Sequence, residues 1–409
     1  MKKGILIIVL IACGVVCAGN VRAQGWDEIE ALGVEIHGFV SQAYLYTKDN
    51  NFLAHDTEGG SFQFNEFGLT FGKQVSDRLR LGLQLFSRDM GNVDDNKIIL
   101  DWANADYRWR DWAGIRAGIL KVPYGLYNKS RDVDALRTNI LLPQSVYTDL
   151  LREGYTGLQG VGLYGFVPAG SAGRFLYEFQ MGTSNLENDG GTAKFVEDIA
   201  GGFVDIRDFD PSELYTGAIY WNTPIHGLRA GVCGYTMRLD ADGELNELTG
   251  VFEGMAFDLE LEDITSYVFS LEYSYGDLLL AAEYCRMEID TAFDLLGSSF
   301  EDSEESEGYY LSASYRFTEW LELGTYYSVF YEDVDDRDGD ELEVLGFPDH
   351  GAWLKDLALT TRFDIGEHWV FKLEGHMMDG TARVLSIDNP PFPTEDDWFL
   401  FAAKMTFIF

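Results

Sequence analysis

The chain has 409 residues, with 68 Asp and Glu against 30 Lys and Arg, a formal net charge of −38, 14% aromatic residues, 44 glycines and 9 prolines. So acidic a balance argues against nucleic acid as a partner, because nucleic-acid binders carry basic patches. A chain this rich in aromatic residues and poor in proline does not have a disordered composition either. The length alone would accommodate two or three soluble domains, and the pattern along the chain decides against them.

Lys2 and Lys3 precede an almost wholly apolar run from Gly4 to Ala18, and Val21-Arg22-Ala23 offers a cleavage site. Residues 1–23 therefore read as a secretory signal peptide. An uncleaved anchor is the weaker reading, since the run falls short of the roughly 20 residues a spanning helix needs. Leu10-Ile11-Ala12-Cys13 resembles a lipobox, but Cys13 lies very early. Loss of Lys2, Lys3 and Arg22 with this leader would take the net charge from −38 to −41. Residues 24–33 form a short N-terminal segment expected on the periplasmic side, with a helical turn over 26–32. No later stretch approaches a transmembrane helix, so a membrane could be crossed only as a closed barrel, which satisfies every backbone group in lipid.

From residue 34 onward the dominant period is two. Leu79, Leu81, Leu83 and Leu85 alternate with Arg78, Arg80, Gly82 and Gln84. The same alternation recurs over 174–181, 266–275, 309–317 and 369–377, where the polar face carries small residues and charges of both signs. Repetition over the whole chain, strands of about 9–11 residues and aromatic residues at strand ends distinguish a transmembrane barrel from a soluble sandwich. Strands are expected near 34–46, 60–74, 77–89, 97–109, 112–122, 155–167, 172–182, 213–222, 227–239, 264–275, 278–289, 308–317, 320–332, 352–363, 369–378 and 398–409. The reading is an all-β fold, a transmembrane antiparallel β-barrel spanning 34–409, with about sixteen strands.

Short links near Ser76-Asp77, Arg110-Asp111, Gly276-Asp277, Thr318-Glu319 and 364–368 read as periplasmic turns. Long links at 47–59, 123–154, 183–212, 240–263, 290–307, 333–351 and 379–397 read as extracellular or inward-folded. The link 123–154 stands out. Lys121, Lys129, Arg131, Arg137 and Arg152 face only Asp132, Asp134 and Asp149 there, a local positive excess in an acidic chain. A loop folded into the barrel would use such a cluster to narrow a pore and favour anions; a surface loop would use it for structural Arg–Asp pairs. Lys121, Lys129, Arg131 and Arg137 are the candidates for a constriction, and Arg78, Arg80 and Arg116 for the lumen face.

Ala103-Asn-Ala-Asp-Tyr107, followed by Arg116-Ala-Gly-Ile-Leu-Lys-Val-Pro-Tyr-Gly-Leu126 and Leu158-Gln-Gly-Val-Gly162, resembles the phosphate-selective porin O/P family of Gram-negative outer-membrane porins. The likeness covers about residues 100–165. It implies a sixteen-stranded, commonly trimeric porin with a basic constriction. The sequence departs from the phosphate-selective members in its acidity and in showing no clear basic ladder elsewhere.

The acid concentrates in 183–212, 240–263, 290–307 and 333–351, for example Glu301-Asp302-Ser303-Glu304-Glu305. Diffuse divalent cations could bridge such loops to lipid head groups, although 335–340 lacks the acids an EF-hand needs. The histidines are scattered, and no cofactor fingerprint, metal-ligand spacing or convergent catalytic set appears, which argues against an enzyme. Cys233 and Cys285 fall on non-neighbouring strands, which argues against a disulfide. The last strand alternates apolar residues up to Phe409, resembling the signal presented to the outer-membrane barrel assembly machinery. The function expected is passive diffusion of small hydrophilic solutes across the outer membrane, with an anion preference. The contrasting reading is a non-conducting barrel serving as an adhesin or surface-structural protein.

Overall fold

The computed structural model describes residues 33–409 apart from 54–55, 92, 296–297 and 391–394. The expected signal peptide and the helical turn over 26–32 lie outside the described residues. Sixteen strands are found among the described residues. They are β1 (Val34–Lys48), β2 (Asn65–Ser76), β3 (Leu79–Asp89), β4 (Ile99–Arg110), β5 (Ala113–Lys121), β6 (Gly157–Pro168), β7 (Arg174–Thr183) and β8 (Val204–Asn222). They continue as β9 (Leu228–Leu245), β10 (Ala256–Tyr275), β11 (Leu278–Leu295), β12 (Ser298–Thr318), β13 (Leu321–Tyr331), β14 (Trp353–Ile365), β15 (Trp369–Gly380) and β16 (Asp397–Ile408). Each pairs antiparallel with the next, and β16 returns to β1 with Lys48 opposite Phe399 and Phe39 opposite Ile408, closing the barrel. Closure leaves no unpaired edge, which is what a sheet immersed in lipid requires.

Period-two alternation sets the two faces. Leu81, Ile115, Val161, Phe179, Phe269, Leu311 and Leu359 point outward and are 43–65% exposed. Apolar side chains displayed on that scale are stable only against hydrocarbon. Trp109, Trp112, Tyr275, Phe317, Trp320 and Trp369 flank the short turns on the outer surface, forming an aromatic girdle at that end.

The other end differs from the sequence reading. The links 240–263 and 290–307 are largely strand: β9 runs on to Leu245, β10 begins at Ala256, and β11 and β12 together span Leu278 to Thr318 around the gap at 296–297. Here the alternation changes meaning. In the lipid zone of β9, Val232 faces out. Above it Arg238, Asp240 and Asp242 face out, and Leu239 and Ala241 are buried inside. In β10 a register shift between Leu261 and Ile264 moves the inward set from Phe257 and Leu259 to Ile264, Ser266 and Val268. A wall that leaves lipid and enters water must exchange its apolar exterior for a polar one. Acidic residues taken for loop, such as Asp240, Asp242 and Asp258, are the water-facing side of tall hairpins. Their inward apolar residues, together with the 123–154 link and the helix Gly191–Ile199, form two buried clusters within the mouth.

Candidate functional site: the inward loop and the two walls it divides

The chain leaves β5 at Lys121 and re-enters the wall at Gly157, and its two ends are tied together. The Val122 amide donates to the Thr156 carbonyl at 3.2 Å, and the Asn128 amide group donates to the carbonyls of Val122 (3.1 Å) and Tyr155 (2.9 Å). Gly125 has φ +60° and sits where a Cβ would meet the Tyr147 hydroxyl, so this turn requires glycine. The Tyr220 hydroxyl donates to its carbonyl at 2.5 Å.

Between these ends the segment lies inside the barrel and is held by three groups of ionic contacts. At the base, Asp132 binds Lys121 and Arg152 (2.5 Å), and Lys121 also reaches Asp101 on β4 at 2.7 Å. In the middle, Asp149 binds Arg88 at 2.6 Å and Arg131 at 3.2 Å, while Arg88 also holds Asp94 at 2.5 Å. On the far wall, Asp134 accepts from Lys372 at 2.9 Å and from Thr406 at 2.8 Å, with Lys404 at 3.4 Å. The surrounding cations hold the carboxyls of Asp132, Asp134 and Asp149 well below the usual carboxylate range, outweighing the burial that opposes them.

Hydrogen bonds with charged side chains of the wall complete the fit. Glu374 of β15 accepts from the amides of Ile140 and Leu141, both at 2.8 Å, and Arg362 of β14 donates to the carbonyls of Ala135 (2.8 Å) and Arg137 (3.0 Å). Thr138 donates to Glu322 at 2.5 Å. Glu283 of β11 accepts from the Leu126 amide (2.9 Å), Ser270 (2.5 Å), Tyr310 (2.8 Å) and Tyr147. The His376 imidazole lies between Asp356 at 3.0 Å and Glu374 at 3.1 Å.

The basic residues singled out in the sequence are therefore divided. Arg131 is 4% exposed and bound to Asp149 and the Tyr147 carbonyl. Arg137 donates to the carbonyls of Arg131, Asn139 and Ile140, and Lys121 is 10% exposed at the base. Lys129, 42% exposed, faces the other side of the barrel and binds Glu178. There Arg116 pairs with Asp106 at 2.9 Å and Glu178 at 3.0 Å and stacks 4.0 Å from the Tyr164 ring centre. Arg80 faces inward, 59% exposed beside Glu35 at 3.3 Å, while Arg78 sits in the β2–β3 turn. Strand register puts further arginines on this inner face: Arg108 on the Asp106 side of β4, Arg174 on the Glu178 side of β7, and Arg229 opposite Glu272, while a bulge after Arg108 turns Arg110 onto the Trp109 ring. No basic ladder was evident in the sequence because these residues are scattered over separate strands from Arg80 to Arg229 and meet only when the barrel closes. Their parity relative to the outward apolar residues was the available signal.

Cys233 and Cys285 are free thiols on β9 and β11, separated by β10. The Gly125 amide donates to the Cys233 sulfur at 2.9 Å, and the Cys285 thiol donates to the Ser145 carbonyl at 3.2 Å, so both support the loop.

The closed wall and the inward segment can be compared with solved structures. The fold superimposes on an anion-selective porin from Comamonas acidovorans (12% identity, TM-score 0.51, covering 92% of this chain and 99% of that one). It also matches the outer membrane channel DcaP of Acinetobacter baumannii (12%, 0.53, 92% and 97%). A third match is OprB of Pseudomonas putida (10%, 0.55, 94% and 96%). At these identities the likeness is one of fold. No family model and no curated protein sequence matches the chain.

Proposed function

We propose that the chain is a non-enzymatic outer-membrane channel of the porin type, passing small hydrophilic solutes with a preference for anions, with the 123–154 segment as its constriction. The observation that carries this reading is the sorting of charge. In a chain of net charge −38, the accessible inner face of β3–β9 collects Arg80, Arg108, Arg116, Arg174 and Arg229, while most of the acid of the tall β9–β10 hairpin, Asp240, Asp242 and Asp258 among it, faces out. An inward row of fixed positive charge raises the local concentration of anions and lowers their barrier. The apolar exterior supports a place in the outer membrane, and one of the proteins of similar fold is an anion-selective porin. Homotrimer assembly and phosphate-selective O/P kinship are expectations that rest on the motif resemblance.

Reconstitution of the purified protein in planar bilayers tests this. Stepwise conductance is expected, with a reversal potential of anion-selective sign in a salt gradient. Absence of steps would favour the second reading, a non-conducting surface barrel, to which the buried apolar clusters filling the mouth lend support. Cation-selective steps would reject the anion preference alone.

A further inference from the structure

Above the inward segment lies a cavity of about 320 Å³ whose lining does not suit a hydrophilic solute. Its walls are the inward residues of the tall hairpins, among them Met237, Leu259 and Ile289, and its cover is the helix Gly191–Ile199 with Phe195 and Val196. Tyr155 and Tyr235, stacked with ring centres 6.2 Å apart, also line it. Ile199, 61% exposed, marks the mouth. A water molecule needs two to four polar partners to be held in such a space, and a wall of Leu, Ile, Val, Met and Phe does not supply them. A porin-type lumen is expected to be polar, so an aliphatic chamber within this one needs a separate explanation.

Among the lining residues, charge returns at one edge only. Asp302 and Glu304 of β12 stand opposite Thr291 and Ile289 in the register, on the same inward side as the apolar lining. Neither carboxylate has a cation partner among the described residues. Burial, with Glu332 and Asp302 nearby, pushes the Glu304 carboxyl up from its ordinary value, as expected of an acid lacking a counter-charge. Arg383 does not line the cavity: its guanidinium lies 3.9 Å from the Phe330 ring centre and 5.2 Å from that of Phe195.

We infer that this chamber is a binding site for an amphiphile with an aliphatic chain and a cationic head, the chain seated among Met237, Leu259, Ile289 and Val196 and the head at Asp302 and Glu304. Size agrees: an apolar cavity of about 150 Å³ holds a benzene ring, so this one has room for roughly ten to twelve carbons. Two methionines, Met237 and Met287, give the lining the unbranched, adaptable surface that accommodates flexible chains. A carboxylate head would be repelled by the rim. This goes beyond the channel reading and does not depend on conductance, which a separate measurement reports.

The test is equilibrium dialysis of radiolabelled dodecylamine, dodecanol and dodecanoate against phospholipid vesicles with and without the reconstituted full barrel at pH 7. Dodecylamine should show saturable uptake of about one molecule per barrel above protein-free vesicles, and dodecanoate should bind at least tenfold more weakly. Dodecanol should fall between them. Val196→Trp, which fills the chamber, should reduce the saturable uptake at least tenfold, and Asp302→Asn with Glu304→Gln should erase the difference between dodecylamine and dodecanoate. The inference fails if no saturable excess appears, if dodecanoate binds as tightly as dodecylamine, or if Val196→Trp folds and binds unchanged. Should Val196→Trp not fold, the ranking of the three head groups on the unaltered protein decides alone.

Discussion

The two walls that the inward segment divides are built from the same alternation and treat charge in opposite ways. On β13–β16 and the parts of β1 and β2 that face the segment, inward charges are sealed: Lys372 and Lys404 have no exposed side-chain surface, and Glu374 and Glu66 are nearly as buried. On β3–β9, inward charges outside the segment's own ion pairs keep contact with solvent: Arg80 is 59% exposed and Arg116 26%, and Lys129 of the segment on that side is 42% exposed, while Arg88 and Asp101 are sealed against the segment. A buried charge is tolerated only when paired and hydrogen-bonded, so the first wall fixes the segment in place. An accessible charge contributes little to stability but sets the potential of an aqueous path. Substitutions on the first wall should change stability and openness together, and those on the second should change selectivity alone.

The largest effect is expected at Asp134. Its replacement by Ala leaves Lys372 and Lys404 facing each other without their shared carboxylate, a loss of about 3–5 kcal/mol for breaking a buried ionic group. The barrel ladder is untouched, so the segment should open locally. Amide exchange at Ile140 and Leu141 should accelerate at least a hundredfold, and single-channel conductance should rise. Unchanged exchange would mean that the β14–β16 wall is not the anchor. Acid should act in the same direction. The Asp134 carboxyl is held below its ordinary value of about 4, so its contribution is complete above that pH and is lost as pH falls toward the folded value.

Glu153 should oppose this trend, at smaller size. It lies beside Arg152 in the short helix Arg152–Thr156, and burial, reinforced by Asp94, pushes its carboxyl up to about 7. A raised acid contributes stability fully below its unfolded value near 4.5 and loses it as pH rises through about 7. Glu153→Gln, which cannot ionise, should therefore hold the base of the segment more firmly at pH 8, by about 2 kcal/mol after allowance for partial exposure, and change little at pH 4. Exchange at the Gly154 amide, followed at both pH values, measures the difference; equal protection of the two proteins at pH 8 would refute it.

The sequence revealed one of these walls better than the other. Sixteen strands and the short turns were legible because outward apolar residues such as Leu81, Phe269 and Leu311 repeat every second position wherever the wall meets lipid. The tops of β8–β12 were missed because water replaces lipid there, so Leu239 and Phe257 turn inward while Asp240 and Asp258 turn out, and the hydrophobic pattern loses its transmembrane meaning. The positive excess in 123–154 was legible as composition, but its partners were not. Lys372 is 238 positions from Asp134 in the chain, and Glu374 is 234 from Ile140. Only barrel closure and the return of the segment to the far wall bring such pairs together, and no local spacing encodes them.

The smallest change in stability should accompany the clearest change in selectivity. Arg80, Arg108 and Arg174 all lie on the accessible inner face, and Arg80 has only an exposed partner, Glu35. Exposed pairs of this kind contribute about 0–1 kcal/mol, so replacing the three arginines by Gln should leave heat-modifiable mobility and amide exchange of the inward segment close to those of the unaltered protein. The potential of the path should respond much more, because three fixed positive charges leave a vestibule that also contains Glu35, Asp106, Glu178 and Glu272. The reversal potential should move toward cations, most strongly at low ionic strength where the Debye length is about 30 Å, and hardly at all near 1 M salt, where it is about 3 Å. A shift that persisted undiminished at high salt would point to altered pore shape. It would then place these arginines with the anchoring wall, and the division between the two walls would fail at this point.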